Sequence, residues 1–133
     1  MVDAAVPMHW RRFDERYRLA GSHCKNCGEY FFPKRLVFPN CMRKGKLSTV
    51  EMPREGRIVS FTEVFVGPSG FESETPYFIA IIELSHKAKI LAQIVDSPKE
   101  KIKMGALVKK VFRKIADHDE EGAIAYGYKF KAV

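Results

Sequence analysis

Three cysteines are the residues whose types and spacing can do chemistry. Cys24 and Cys27 stand as C-x-x-C with Gly28 behind them, and thirteen residues later Cys41-Met42-Arg43-Lys44 is followed by Gly45. Thiolates paired in this way, each pair on a tight turn, aim at one point and hold a tetrahedral metal ion, zinc first among them. A glycine behind each pair permits the left-handed backbone that such a turn needs. A cysteine at position 44 would complete a four-cysteine zinc ribbon. Lys44 stands there instead, and a protonated ammonium has no lone pair to give. His23 is a nitrogen donor close by, but as the direct neighbour of Cys24 it is awkwardly placed for joint ligation. Two readings stay open. Cys24, Cys27 and Cys41 hold zinc with water or an outside ligand in the fourth place, or the ribbon folds without metal and Lys44 lies near the sulfurs.

No other cluster in the sequence has a catalytic pattern. The histidines at 9, 23, 86 and 118 are scattered, and neither a Gly-x-Ser-x-Gly elbow nor a phosphate-cradling glycine loop occurs. Asp119, Glu120 and Glu121 fall in a polar turn, where solvated carboxylates are the ordinary case. A chain that is an enzyme by itself is disfavoured. The net charge of +7 admits nucleic acid, an acidic protein or a phosphate-rich small molecule as partner, and selects none of them. With 46% apolar and 29% charged residues the composition is that of a soluble globular protein of 133 residues, one domain or a small domain with an appendage. The longest apolar run, residues 77–82, is too short to cross a bilayer, so no membrane partner is expected. The opening MVDAAVPMHW has no basic and apolar regions of a signal peptide, and knuckle-spaced cysteines fit a reducing compartment; the expected location is the cytoplasm.

The elements that must position these residues read as follows. In residues 7–19 Trp10, Phe13 and Tyr17 fall at i, i+3 and i+7, one face of a helix. Residues 20–46 form the ribbon, with a short strand at 30–32, and residues 47–52 a connecting strand. Residues 53–56 (PREG) read as a turn and as the boundary between two modules, 1–52 and 53–133. Strands are predicted at 58–66, 77–84, 89–95, 107–115 and 123–130, from β-branched and aromatic content and alternation. A loop spans 67–75, a short helical turn 96–101, Gly105 breaks the chain, and a polar turn occupies 117–122. Five strands with a helical excursion between the third and fourth predict an OB-like barrel. The fold class is therefore mainly β: an N-terminal helix and zinc ribbon, then a five-stranded barrel.

Several stretches also carry a family likeness: HWRRFDERYRLAGSHCKNCGEYFFPKR, PYFIAIIELSHKAKILAQIVD and KIKMGALVKKVF, which lie between residues 9 and 112. Together they resemble the DUF35 family, described as acyl-CoA-associated OB-fold proteins with a rubredoxin-like zinc ribbon. Lys44 departs from the family's usual fourth cysteine. The resemblance implies partnership with thiolase-like enzymes. The chain looks most like the archaeal form that bridges acetoacetyl-CoA thiolase and HMG-CoA synthase of the mevalonate route, so that acetoacetyl-CoA passes between them. It also implies contact with coenzyme A or acyl-CoA within the complex, without saying through which residues. Two stretches have the composition of partner interfaces: Trp10, Arg11, Arg12, Phe13 and Arg16 at the amino terminus, and Phe71 in the loop. Alternatives are an accessory subunit of another thiolase-like acyl-CoA enzyme, or a single-stranded nucleic-acid-binding OB protein. The latter would use Phe61, Phe65, Phe112, Tyr126 and Tyr128 with the lysines at 99, 101, 103, 109 and 110, and is the less favoured because aromatics on strands usually fill the core.

Overall fold

Alternation of apolar and polar residues governs most of the chain, and strands result. The computed structural model describes residues 6–37, 39, 41–42, 45–69, 71–85, 87–117 and 124–133. The aromatic segment is helical, as its spacing predicts, but in two pieces, α1 (Val6–Arg11) and α2 (Phe13–Arg18). Arg12 leaves helical geometry at φ −103° and ψ 5°. Charge favours a fresh start after it: Asp14 and Glu15 lie in the first turn of α2 and Arg16 and Arg18 in the last, each complementing the helix dipole. Leu19 ends α2 in the left-handed region (φ 52°, ψ 46°) and is fully buried. That conformation costs a leucine about 1–2 kcal/mol, which its burial offsets.

The ribbon is a three-stranded antiparallel sheet in the order β2-β1-β3, with β1 at Ala20–Cys24, β2 at Tyr30–Phe31 and β3 at Leu47–Glu51. Residues 47–52, read as a connecting strand, do form one over Leu47–Glu51, and it pairs with β1 along the whole length of β1, from Ala20↔Glu51 to Cys24↔Leu47. The barrel follows: β4 (Glu55–Val64), β5 (Tyr77–Leu84), β6 (Lys89–Ile94), β7 (Leu107–Asp117) and β8 (Ile124–Ala132), closed in the order β4-β5-β6-β8-β7. A 3-10 turn at Lys99–Lys101 sits between its third and fourth strands, where the helical excursion is predicted. Most of the polar turn expected at 117–122 lies outside the described residues.

Glu55 and Gly56, read from sequence as a turn, belong to β4. Gly56 pairs with Leu84 on one side and Val108 on the other. A Cβ there would stand 2.6 Å from Ile82 Cγ2 and 2.7 Å from the Glu83 carbonyl oxygen. The glycine is needed for close strand approach, and no turn is involved. Inward residues of the barrel (Ile58, Ile82, Ile90, Val108, Phe130) join Leu19 and Met52 from the ribbon side in one buried cluster.

The barrel closes unevenly. β6 and β8 run parallel and register only at Ile94↔Phe130, where the Val95 N–H also donates to the Phe130 carbonyl (2.8 Å). The ribbon packs where the strands part. Phe32 lies edge-on to Tyr128 with 5.6 Å between ring centroids, and Tyr30 and Phe32 both pack against the barrel core.

Two outcomes are expected. Gly56→Ala should lower the urea unfolding free energy by about 1–3 kcal/mol, because the methyl meets packed backbone; a change within 0.5 kcal/mol, the usual scatter of neutral sites, would contradict the tight approach. Tyr128 gives stability a pH dependence. Burial, with Glu15 adding to it against Arg16, pushes its hydroxyl up from 10.0 to about 12. The unfolded chain releases that proton first, so this contribution is present below pH 10 and is lost as pH rises toward 12. Urea midpoints of the wild type should fall more steeply over that window than those of Tyr128→Phe, and parallel curves would contradict the assignment.

Candidate metal centre and docking surfaces

The first knuckle forms where β1 ends. Gly28 takes φ +78°, and its N–H donates to the Cys24 carbonyl (2.8 Å), closing the turn that brings Cys27 back beside Cys24. In the second turn the left-handed residue is Met42 (φ 46°), which sequence reasoning missed by looking only for glycine; the Gly45 N–H donates to the Met42 carbonyl (3.3 Å). The Lys25 N–H bonded to the Lys46 carbonyl (3.1 Å) draws the two turns together. As a result the sulfurs of Cys24, Cys27 and Cys41 all lie within 4.8 Å of one another. The Asn26 side-chain amide donates to Cys41 Sγ at 3.3 Å. Position 44 lies outside the described residues.

These sulfurs fit a zinc ion. Zinc–sulfur bonds of about 2.3 Å at tetrahedral angles separate ligand sulfurs by roughly 3.8 Å, within the observed spread. The electrostatics agree. Burial raises the Cys24 thiol, but backbone groups of Cys27, Lys46 and Asn26 and the Cys27 thiol outweigh it and bring it down to about 7. For Cys27 the Glu29 backbone is a lowering influence, yet burial, the sulfurs of Cys24 and Cys41 and the charge on Cys24 carry the thiol up to about 11. Three crowded sulfurs resist carrying three negative charges, and a bound cation relieves that resistance. Cys24, Cys27 and Cys41 would hold the ion, whose role in a ribbon is structural cross-linking.

The ribbon has other supports. Ser22, buried at 1% exposure, accepts from the Arg35 N–H (2.9 Å) and donates to its carbonyl (3.2 Å). His23 stacks on Tyr30 with 4.2 Å between centroids, and the Arg35 guanidinium lies 5.0 Å from the centre of the Phe31 ring.

A second constellation is a ladder of five aromatic rings. Trp10 meets Phe13 edge-on at 5.6 Å, Phe13 stacks on Tyr17 at 4.8 Å, Tyr17 meets Phe112 edge-on at 5.0 Å, and Phe112 stacks on Tyr126 at 5.5 Å. The helical face read from sequence thus continues across β7 and β8. Gly127 makes room for Ile115 of β7: a Cβ there would stand 2.8 Å from Ile115 Cδ1, whereas Arg16 Cβ of α2, at 3.5 Å, would be in ordinary contact. Lys110 pins the helix end by donating from Nζ to the Tyr17 carbonyl; burial, then the charge of Arg54, draw its pKa below the usual lysine value, against a smaller opposing effect of Glu51. Trp10 remains 72% exposed and Phe112 48%, so the ladder has a wet outer side. Arg11 and Arg12 flank it in solvent, whereas Phe13 and Arg16 are half-buried.

Sequence placed Arg16 and Phe71 on separate surfaces; the fold brings them to one cleft of about 330 Å³ over the parting of β6 and β8. Phe71 is half-buried with its ring 6.1 Å from that of Tyr77. Lys129, which sequence reasoning passed over as one more surface lysine of KFK, lines the cleft at 5% exposure. Of the residues weighed for nucleic acid, Phe61 and Phe65 are exposed, Tyr128 is half-buried under the ribbon, and Lys99 is paired with Glu63 at 3.2 Å. No helix among the described residues is long and apolar enough to cross a membrane.

A ribbon with a three-sulfur centre, built onto a five-stranded OB barrel, defines the class of protein. Residues 14–48 match the family model described as ChsH2, rubredoxin-like zinc ribbon domain, and residues 49–113 the model described as ChsH2, C-terminal OB-fold domain. The chain is 43% identical over 131 residues to a DUF35 domain-containing scaffold protein of Methanocaldococcus jannaschii, across 98% of this chain and 93% of that one. It belongs to the DUF35 family. A shorter match, 35% identical over 80 residues, links it to benzoylsuccinyl-CoA thiolase subunit BbsA of Thauera aromatica, covering 60% of this chain and 54% of that protein. Its fold is similar to that of a solved chain of an Ltp2-ChsH2(DUF35) aldolase, with a TM-score of 0.71 over 99% of this chain and 98% of the other at 22% identity.

Zinc purified with the protein should leave under mild chelation faster than from a closed four-cysteine site, since Lys44 closes nothing, and Lys44→Cys should slow the loss. Circular dichroism should show the ribbon still folded afterwards, held by the β1–β3 pairing and the Ser22–Arg35 bonds. One-to-one zinc that survives prolonged chelation in the wild type would contradict the open site.

Proposed function

We propose that this chain is a non-catalytic scaffold that bridges acetoacetyl-CoA thiolase and HMG-CoA synthase, so that acetoacetyl-CoA passes between them inside one assembly. The observation that carries this reading is the aromatic ladder ending on Trp10, 72% exposed and flanked by Arg11 and Arg12. Tryptophan and arginine dominate the energetics of protein interfaces, because they bury wide areas while keeping a polar handle. A monomer gains nothing by holding a stack of rings half in water. One surface is therefore Trp10, Arg11, Arg12 and Phe13, with Arg16 behind them; the loop carrying Phe71 borders the other.

The near full-length similarity to a protein named as a scaffold supports the reading. So does the employment of the polar side chains. The hydroxyls of Ser22, Ser48, Thr75 and Ser97 bond backbone groups, and His23 is stacked on Tyr30. None of these is arranged as a nucleophile beside a base. Acyl-CoA is met indirectly, through the enzymes, with the basic surface attracting its phosphates. The likeness to a benzoylsuccinyl-CoA thiolase subunit favours a second reading, in which the partner is another thiolase-like acyl-CoA enzyme.

Mixing the protein with purified acetoacetyl-CoA thiolase and HMG-CoA synthase should give a three-component species on size exclusion. Trp10→Ala should weaken one of the two contacts at least tenfold, about 1.4 kcal/mol or more, and spare the other. Alone, the protein should turn over no acyl-CoA substrate. Binding of neither would end the bridging reading, and a complex with a different thiolase-like acyl-CoA enzyme in their place would select the second.

A further inference from the structure

The parting of β6 and β8 leaves an unusual set of groups together. Beyond Ile94↔Phe130 the two strands share no register, so the edge of β6 from Lys89 to Gln93 has no strand beside it among the described residues. Beside it lies the cleft of about 330 Å³, walled by Arg16, Phe71, Tyr77, Leu91, Tyr128 and Lys129. The lining is mostly apolar and aromatic, with Gln93 and two cations among it, and one of these cations, Lys129, is almost wholly buried. A buried ammonium demands a carboxylate. The chain supplies one from its own loop: Glu74, in a 3-10 turn at Glu72–Glu74, places Oε1 3.5 Å from Lys129 Nζ and accepts from the Gln93 side-chain amide on Oε2 (3.0 Å). One carboxylate thus spans β6 and β8 where the ladder is missing. Three residues before it, Phe71 leans on Tyr77 at the cleft wall.

We propose that this cleft is the second docking surface of the scaffold, for a segment of the partner enzyme that carries an aromatic side chain and, close after it, an Asp or Glu. The loop's Phe71 and Glu74 stand in for that segment in the free protein. On docking, the partner's carboxylate takes Lys129 from Glu74, and its aromatic side chain fills the cleft. The loop already shows what Lys129 accepts: a peptide side-chain carboxylate, delivered here from a 3-10 turn. Charge selects an acidic segment, because Arg16 and Lys129 both border the cleft and Glu74 is the carboxylate that must be replaced. The partner's identity rests on the scaffold reading, whereas the chemistry of the cleft does not.

The probe is the loop's own sequence supplied in trans, acetyl-Phe-Glu-Ser-Glu-Thr-Pro-amide, titrated into the labelled full chain and followed by NMR. In the Phe71→Ala/Glu74→Ala variant the peptide should bind saturably and shift the resonances of Leu91, Gln93, Tyr128 and Lys129. Wild type should bind it at least tenfold more weakly, because the tethered loop competes at a high effective concentration. Adding Lys129→Gln, or replacing the second glutamate of the peptide by glutamine, should each cost at least tenfold in affinity. Should the double variant not fold, Glu74→Gln serves: it frees Lys129 from its charged partner, keeps a group for Gln93, and should bind the peptide more tightly than wild type. Absence of saturable binding to a folded variant, equal affinity for wild type, or indifference to Lys129→Gln would each overturn the proposal. Peptide binding without capture of either enzyme would retain the cleft and retire the scaffold reading; enzyme capture without peptide binding would do the reverse.

Discussion

Everything in this molecule depends on how a five-stranded barrel closes between two strands that barely touch. Parallel β6 and β8 share one registered pair, Ile94↔Phe130, and one further bond from Val95. Buried backbone and apolar side chains left open there would be costly, so something else must cover the gap. From one side the ribbon does so, with Phe32 against Tyr128 and Tyr30 beside it. From another the loop after β4 does so, with Glu74 tied to Lys129 and Gln93. The ribbon is therefore part of the barrel's closure as well as a holder of sulfurs, and the shared cluster of Leu19, Met52 and the barrel's inward residues records the same fact.

From that arrangement the proposed docking surfaces follow. Because the ribbon and α2 are seated on β8, the aromatic face of the helices runs on without a break into Phe112 and Tyr126. The ladder is seated on the barrel at its inner end, where Tyr17 meets Phe112. The three-sulfur site stands apart from this surface in the ribbon's turns. An ion bound there would fix Cys24, and with it β1, on which both other ribbon strands pair.

Much of the fold could be read from the amino acids, and the failures have physical causes. Tyr77–Leu84 was plain because a run of β-branched and aromatic residues after Pro76 reads as a strand, although Ile81 within it is exposed. The knuckle at Gly28 was plain because its offset from Cys27 is fixed by turn geometry. β1 was not, since Ala-Gly-Ser-His-Cys has little strand propensity and is made a strand by its neighbours on both sides. Gly56 misled because a glycine beside a proline and charged residues reads as a turn, whereas here it makes room for a neighbouring strand. The meeting of Arg16 with Phe71, 55 positions apart in the numbering, depends on α2 lying across β8, which no local pattern encodes. Lys129 was invisible for the same reason: a lysine in alternating polar sequence is ordinarily solvated, and its burial is decided by Glu74 from a distant loop.

Hydrogen exchange of Phe32→Ala against wild type tests the central claim most directly, that the ribbon closes the barrel. If Phe32 covers the parting of β6 and β8, amides along Lys89–Ile94 and Ile124–Ala132 should lose protection together with those of the ribbon, while the β4–β5 pairing keeps its own. Loss of protection confined to Ala20–Cys24, Tyr30–Phe31 and Leu47–Glu51, with β6 and β8 unchanged, would mean that the barrel closes by itself and would contradict the account.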